Sequence, residues 1–229
     1  MRPWLAPERS LDSLNALAEK QGLRTESGRP VRFVAPGEKD AYYEIRVYET
    51  GRVETRPDSL HDYFNALAWL AFPLTKARIN AMHAAEIPRE RGRRGRLRDL
   101  LTIFDEGGAI VQCDDAEMIS LLKSFKWKKL FWQNREHVVN AMRVVVFGHA
   151  VLEKALEPWP GVACKVIIAA FDAHPDTAAR DWLAALPADA SPRLMPALPI
   201  FGFPGWHAEN AVAVFYDDTR YFRPLRGER

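Results

Sequence analysis

The sequence predicts an α+β fold in which antiparallel β-hairpins pack on a core of apolar helices. Some segments carry apolar residues at helical spacing, and others alternate apolar and polar residues around turn residues. The two kinds do not follow the regular strand–helix–strand order of a parallel sheet. A chain of 229 residues, 48% of them hydrophobic, suffices for a sizeable core. We therefore expect a single domain over residues 1–229, with residues 1–40 as a less regular N-terminal segment.

The first half of the chain predicts a helix, a hairpin and a long apolar helical region. Leucines form one stripe over residues 11–22, and Gly22 ends that helix. Residues 42–56 alternate around Thr50-Gly51, which predicts a β-hairpin. Residues 60–86 are apolar at helical spacing. Because a proline disfavours a helical residue before it, Pro73 predicts two helices or one kinked helix there.

The second half predicts shorter elements. An arginine-rich linker over residues 88–98 precedes LLTIFDEGGAIVQCD, which predicts a second hairpin turning at residues 106–108. Residues 117–133 and 136–156 predict helices, and residues 163–171 predict a strand or a buried helical turn. Asp176 is expected to cap a short helix. Prolines exclude a helix or a central strand over residues 187–206, and a third hairpin is expected at residues 212–222.

Charge, cysteine content and motifs exclude several classes of protein. With 32 basic and 30 acidic residues, the composition indicates neither general nucleic-acid binding nor a membrane surface. Two cysteines provide neither a disulfide framework nor metal-binding spacing. The N-terminus lacks the apolar run of a signal peptide, and no apolar run approaches the roughly 20 residues that cross a bilayer. We expect a soluble cytoplasmic protein. No phosphate-binding glycine loop, HExxH, GxSxG or CxxC pattern is present.

Two helical segments carry the candidate metal ligands. His61 and Asn65 lie four residues apart and share one helix face. His149 and Glu153 have the same spacing on a second apolar segment. If the two helices pack together, His61, His149 and Glu153 converge as metal ligands with an open position for water. Asp62 would hold the metal or orient an imidazole, and Asn65 would contact the substrate. The alternative is structural: Asp62 belongs to a capping box and the histidines are satisfied within the core.

Acidic pairs are the candidate catalytic bases. Asp105 and Glu106 fall at the turn of the second expected hairpin, and Asp217 and Asp218 fall at the turn of the third. A carboxylate from either pair could activate water on a metal ion. The alternative is that turn aspartates bond to their own backbone.

Basic and aromatic segments are candidates for contact with a substrate or partner. Arg91, Arg93 and Arg94 belong to the linker, and lysines interleave with aromatic residues over 123–132. Both patterns suit phosphate contacts and base stacking. Trp206, in LPALPIFGFPGWHAEN, is a candidate wall of a ligand pocket. The alternatives are structural. The arginines would then belong to a solvated linker, the aromatics of 123–132 would form part of the core, and the segment around Trp206 would be an extended strap across the core. His83 is expected on an exposed helix face, without a role.

Six blocks together resemble a family of bacterial proteins known only as a domain of unknown function. The blocks are YYEIRVYETGRVETR, HDYFNALAWLAFPLTKARIN, LTIFDEGGA, VVFGHAVLEK, LPIFGFPGW and FYDDTRYFRP, and the resemblance covers about residues 40–224. It implies a bacterial, cytoplasmic, single-domain protein. It carries over no catalytic role to any residue.

From these patterns we expect a metal-assisted hydrolase that acts on a phosphorylated or otherwise anionic substrate. No motif identifies a cofactor, and a divalent metal is the one that these side chains would hold. The alternative is a non-catalytic binding module for nucleic acid or a protein partner, and in a third hypothesis the polar residues are structural. The enzymatic hypothesis requires the imidazole nitrogens of His61 and His149 to lie within about 7 Å of each other in a cleft.

Overall fold

The computed structural model describes residues 10–37, 42–90, 93–157, 159 and 161–225, which form an α+β fold. The helices are α1 (Leu11–Gln21), α2 (Tyr43–Thr50), α3 (Leu60–Ala71), α4 (Pro73–Glu86), α5 (Arg96–Gly107), α6 (Ala116–Lys123), α7 (Arg135–Ala141), α8 (His149–Lys154) and α9 (Pro175–Ala184). The strands are β1 (Arg32–Val34), β2 (Arg52–Glu54), β3 (Gly108–Gln112), β4 (Arg143–Val146), β5 (Ala163–Ala169) and β6 (Ala197–Pro199). Within the described residues, no helix combines the length and apolarity needed to cross a bilayer.

The strands form a four-stranded mixed sheet and a separate two-stranded sheet. The order of the larger sheet is β4-β3-β5-β6. β3 pairs antiparallel with β4 and parallel with β5, while β6 lies antiparallel at the edge beside β5. β1 and β2 form a parallel pair. Every residue of β3 is buried, so the centre of the larger sheet lies within the core.

Apolar side chains form three clusters around these elements. The first cluster includes Phe131, Val166 and Leu198 and fills the side of the sheet near the C-terminal segment. The second cluster includes Phe104 and Ile110 and joins the sheet to α4, α5 and α9. The third cluster packs α1 and α3 on the two-stranded sheet, with Phe33, Val53 and Trp69 at its centre. The candidate site borders the second and third clusters.

The apolar region from residue 60 to residue 86 forms two helices, as predicted. Pro73 is the first residue of α4, and Phe72 separates the helices with a φ of −132°. A proline disfavours the α conformation in the residue before it, which explains the break. Ser59 caps α3, because its hydroxyl accepts a hydrogen bond from the backbone N–H of Asp62. The change of direction at Phe72 lets both helices contribute to one cleft.

A distant carboxylate caps the start of α4. Asp176 accepts hydrogen bonds of 2.7–3.0 Å from the backbone N–H groups of Leu74 and Thr75 and from the Thr75 hydroxyl. Asp176 and Thr75 are both buried. A negative charge at a helix N-terminus is favourable, because the unpaired N–H groups there carry partial positive charge. The expectation that Asp176 caps its own helix is wrong, since His174 occupies the N-cap position of α9.

Replacing Asp176 with alanine is expected to lower the free energy of unfolding by about 2–3 kcal/mol. The substitution leaves the N–H groups of Leu74 and Thr75 without their acceptor, and the buried Thr75 hydroxyl keeps only the backbone carbonyl of residue 176. Urea denaturation followed by circular dichroism measures the change. Asp181→Ala, in the exposed part of the same helix, is the control and should change stability by no more than about 0.5 kcal/mol. Equal losses in the two variants would contradict the capping role.

The three predicted hairpins are wrong. Residues 43–50 form α2, and Gly51 is its left-handed C-cap with a φ of 74°. β2 then pairs in parallel with β1. Residues 100–107 belong to α5, and Gly108 begins β3 directly after that helix. Residues 213–217 form a 3-10 turn, and no strand is present among residues 212–222.

The two long helices predicted for the middle of the chain are interrupted. α6 ends at Lys123, and Phe125 turns the chain with a φ of 57° before a π-helical turn over Lys129–Gln133. β4 separates α7 from α8, since its run of valines favours an extended strand. For residues 163–171 the sequence predicted either a strand or a buried helical turn, and the structure has strand β5 there. As expected, the proline-rich segment forms no central strand, because β6 lies at the sheet edge.

Candidate functional site

A polar cleft of about 650 Å³ lies where five helices meet. A volume of this size accommodates a small-molecule ligand. Among the lining side chains, α2 provides Tyr43 and Glu44, α3 provides His61 and Asn65, α4 provides Lys76, Asn80 and His83, α5 provides Asp105 and Glu106, and α8 provides His149. Most of these residues can ionise or form strong hydrogen bonds, which is typical of a functional site.

Two histidines face each other in this cleft. The Nε2 atoms of His61 and His149 lie 3.2 Å apart, and the rings meet edge to face at 4.6 Å between centroids. A carboxylate lies behind each ring. Glu153 Oε2 is 3.2 Å from Nδ1 of His61, and Asp105 Oδ2 is 3.9 Å from Nδ1 of His149. The packing of α3 against α8 brings these residues together.

The carboxylates bear on which imidazole nitrogens carry protons. Glu153 can only accept a hydrogen bond, so it favours the tautomer of His61 that has its proton on Nδ1 and a lone pair on Nε2. Nδ1 of His149 is buried without a hydrogen-bond partner among the described residues, and Asp105 at 3.9 Å can favour a proton there only through its charge. With that proton in place, Nε2 of His149 also carries a lone pair. Two lone pairs at 3.2 Å repel each other unless a proton or a cation lies between them. Nitrogens bound to one tetrahedral zinc ion, with bonds of roughly 2.0–2.1 Å, would lie about 3.3 Å apart.

A buried lysine connects the histidine pair to the rest of the cleft. Lys76 is 4% exposed, and its ammonium donates to Asp105 Oδ1 at 2.5 Å and to Asn65 Oδ1 at 2.7 Å. Burial alone would raise the pKa of Asp105, but Lys76 and His149 outweigh it and lower that pKa. Asn65 also bonds to the side chain of Tyr43, whose pKa is raised by burial. A continuous chain of polar contacts therefore crosses the cleft from α2 to α8.

The two buried histidines are neutral at pH 7. Burial lowers the pKa of His149 to about 4, although Asp105 acts in the opposite direction. Burial and the charge of Arg98 likewise lower the pKa of His83 to about 4. Nδ1 of His83 accepts a hydrogen bond of 3.1 Å from Arg98 Nε, which requires that nitrogen to be unprotonated. The expectation that His83 is exposed is wrong, because only 3% of its surface is accessible.

A second polar pair lies at the α2 and α4 side of the cleft. Nδ2 of Asn80 donates to the backbone carbonyl of Glu44 at 2.8 Å and to its Oε2 atom at 2.7 Å. Burial raises the pKa of Glu44, while the Asn80 hydrogen bond acts in the opposite direction. Oδ1 of Asn80 is buried and has no hydrogen-bond partner among the described residues.

The structure places the other expected metal ligands around the histidine pair. Glu153 bonds to Nδ1 of His61, so it orients the ring from behind. Asp62 receives hydrogen bonds from the backbone and the guanidinium of Arg56, which lower its pKa to about 2. Among the described residues, the carboxylate of Asp62 thus bonds to Arg56 and not to an imidazole. Among the described residues, no three His, Cys, Asp or Glu side chains are arranged to hold a metal ion together.

The candidate catalytic carboxylates separate into two places. Asp105 and Glu106 line the cleft, because they lie in the last turn of α5 and not in a hairpin turn. Asp217 forms an ion pair with Lys128, and Asp218 forms one with Arg220. Neither of these two aspartates is among the residues that line the cleft.

Three of the candidate substrate contacts are not among the residues that line the cleft. Arg93, Arg94 and Trp206 do not belong to the cleft lining. Arg94 forms an ion pair with Asp99, and Trp206 packs on Phe203. Arg91 lies outside the described residues. Two of the aromatics considered for base stacking, Trp127 and Phe131, are buried in the first cluster.

Sequence reasoning did not identify Lys76 and Asn80 as site residues, and it assigned no role to His83. A signal was present, because these residues occur at positions i, i+4 and i+7 of one helix and therefore share a face. A polar stripe at that spacing within a buried helix indicates either a partner network or a ligand site.

Comparison with known proteins gives a match to a protein family. A family model described as "Protein of unknown function (DUF3025)" matches residues 31–226. No curated protein and no solved structure matches the chain. The predicted resemblance to a family of unknown function is thereby confirmed, and the chemistry of the cleft carries the functional inference.

Proposed function

Since the chain belongs to the DUF3025 family of proteins of unknown function, we propose its activity from the cleft: it is a metal-assisted hydrolase. His61 and His149 bind a divalent transition metal through Nε2. The observation that supports this proposal is the 3.2 Å separation of two Nε2 atoms whose Nδ1 atoms both face carboxylates. Histidines that bind metals usually donate their other ring N–H to a carboxylate or carbonyl, as Nδ1 of His61 can do to Glu153. At His149 the Asp105 carboxylate lies 3.9 Å from Nδ1, beyond hydrogen-bond distance.

The side chains around this centre fit hydrolysis. Two nitrogen ligands leave positions for water and substrate, and a bound divalent ion lowers the pKa of such a water. Glu106 forms no ion pair among the described residues, so its carboxylate is available to accept a proton. The Lys76 ammonium has three N–H groups, of which Asp105 and Asn65 receive two. The third can stabilise negative charge that develops on the substrate.

The charge of the lining does not favour an anionic substrate. The carboxylates that line the cleft are Glu44, Glu54, Asp62, Asp105 and Glu106, and the lysine and arginines there are Arg46, Arg56 and Lys76. Each of the three basic side chains already forms an ion pair with one of these carboxylates. Arg93 and Arg94 are not among the lining residues. Away from the metal ion, the cleft therefore suits a neutral or cationic group of the substrate, and an anionic group would have to bind at the ion itself.

Metal binding tests the proposal directly. Protein purified without an affinity tag, stripped with a chelator and titrated with Co²⁺ or Zn²⁺ should bind about one ion per chain. We expect His61→Ala and His149→Ala to abolish stoichiometric binding, because each removes a ligand. Glu153→Gln should weaken binding about 10–100-fold through loss of ring orientation.

His137→Ala is the matched control, because His137 bonds to Asp115 and does not line the cleft. It should bind metal as the wild type does. The metal centre would be rejected if the His61→Ala/His149→Ala double variant retained stoichiometric binding, or if the wild-type protein bound no ion. Hydrolase activity should disappear after metal removal and return when the ion is restored.

The expected setting is the bacterial cytoplasm, as the family resemblance implied. Cys113 and Cys164 are free and buried in the apolar core. Unpaired thiols are compatible with a reducing compartment. Fractionation of cells that produce the protein from its own gene tests this location.

A further inference from the structure

We propose that Glu44 and Asn80 form a subsite that binds a cationic group of the substrate, an ammonium or a guanidinium. The assignment of the bound molecule as substrate rests on the proposed function. The binding itself rests on the two side chains and their neighbours in the cleft.

The orientation of Asn80 provides the first observation. Its Nδ2 atom bonds to two acceptors, the carbonyl and the carboxylate of Glu44. The amide group must therefore have its NH₂ on that side, and Oδ1 is left as an acceptor. Asn80 is 2% exposed and lines the cleft, and its Oδ1 has no partner among the described residues. Because a buried acceptor without a donor is costly, this atom points to a ligand that donates a hydrogen bond.

The isolation of Glu44 provides the second observation. Three other carboxylates of the cleft have basic partners, at Lys76, Arg46 and Arg56. Within the described part of the chain, Glu44 lies within ion-pair distance of no lysine or arginine. Its only described side-chain hydrogen bond comes from the neutral Asn80 amide. A cationic ligand would supply the missing opposite charge.

An ammonium or guanidinium meets both requirements at once. Such a group has several N–H donors and a positive charge, so it can bond to Oδ1 of Asn80 and to the Glu44 carboxylate together. A neutral amide would satisfy Asn80 but leave the carboxylate without a countercharge. A carboxylate or phosphate ligand would meet like charge at Glu44, and in its fully ionised form it has no N–H or O–H to donate to Oδ1. The cationic group is thus the one that fits the subsite.

Four compounds with the same short carbon chain test this selectivity: n-butylamine, n-butylguanidine, butyramide and butyrate. Isothermal titration with wild-type protein should show that the two cations bind at least about tenfold more tightly than the amide or the acid. Glu44→Gln keeps the shape of the side chain and should weaken binding of the cations about tenfold. Glu26→Gln, which removes a carboxylate outside the cleft lining, should leave binding unchanged.

The His61→Ala/His149→Ala variant separates this inference from the metal proposal. Cation binding should persist in that variant, because the subsite does not use the imidazoles. If metal binding fails in every protein while cation selectivity persists, the subsite stands and the hydrolase proposal falls. Equal binding of all four compounds by the wild type, or cation binding unchanged by Glu44→Gln, would overturn the subsite. If Glu44→Gln is poorly folded, the relative affinities of the wild-type protein for the four compounds still decide whether the subsite exists.

Discussion

Replacing Asp105 with leucine should lower the free energy of unfolding by about 3–5 kcal/mol, as expected when one partner of a buried ion pair is removed. The side chain of Lys76 is 5% exposed and that of Asp105 is 17% exposed, so little water reaches the pair. Without the carboxylate, the Lys76 ammonium keeps only the neutral Asn65 oxygen as an acceptor among its described hydrogen bonds. Equilibrium urea denaturation at pH 7 measures the loss.

Two further variants show whether the loss comes from the unpaired charge. In the Lys76→Met/Asp105→Leu double variant, most of the stability should return, because apolar replacement of both partners of a buried pair is often neutral. Asp99→Asn lies in the same helix and loses only the half-exposed pair with Arg94, so its effect should stay below about 1 kcal/mol. A double variant that is no more stable than Asp105→Leu would show that shape, and not charge, governs this position.

Acidification from about pH 7.5 to about pH 4 should remove about 3 kcal/mol of stability through His83 alone. In the folded protein its pKa is about 4, against an ordinary value of 6.5. The unfolded chain therefore binds a proton at a higher pH than the folded protein does. Above about pH 7.5 the histidine is almost unprotonated in both states and the full stability is present. As the pH falls toward 4, protonation of the unfolded chain progressively favours unfolding.

The comparison of wild-type protein with His83→Gln isolates this contribution. Glutamine offers Arg98 an oxygen acceptor but does not titrate, so the variant should lose less stability over the same pH range. Denaturation of metal-stripped protein at several pH values between 4 and 7.5 gives both profiles. The contribution of His149 has the same direction and is common to both proteins. Parallel profiles would mean that His83 takes up its proton equally easily in the folded and unfolded states.

The helices that were predicted correctly are determined by residues within or next to them. Pro73 and the apolar spacing on either side of it determine α3 and α4, whatever the rest of the chain does. Gly22 ends α1 as predicted, with a φ of 63°. His61 and His149 were selected for their positions on apolar helical segments. Their meeting depends on the packing of α3 against α8, which no local pattern specifies.

The hairpins failed because short segments satisfy two periods at once. Tyr43 and Val47 lie on one side of a strand, since they are an even number apart, and also on one face of a helix, since they are four apart. Glycine fits both a hairpin turn and a left-handed helix cap, and Gly51 is the latter. At α5 the buried residues Leu100, Leu101 and Phe104 follow the helical period. Because a hairpin was predicted in place of the end of α5, the sequence did not predict that Asp105 lines the cleft.

The cap that Asp176 places on α4 has a consequence for biosynthesis. Asp176 follows Thr75 by 101 positions in the sequence. The residues of α4 therefore leave the ribosome long before Asp176, whose carboxylate caps this helix, is translated. Until then, a nascent chain carries His61 and Lys76 but cannot close the start of the helix that positions the lysine. His149 also arrives 88 positions after its partner. Translation products that end before residue 149 therefore lack the histidine pair of the cleft, and protein quality control encounters them in that state.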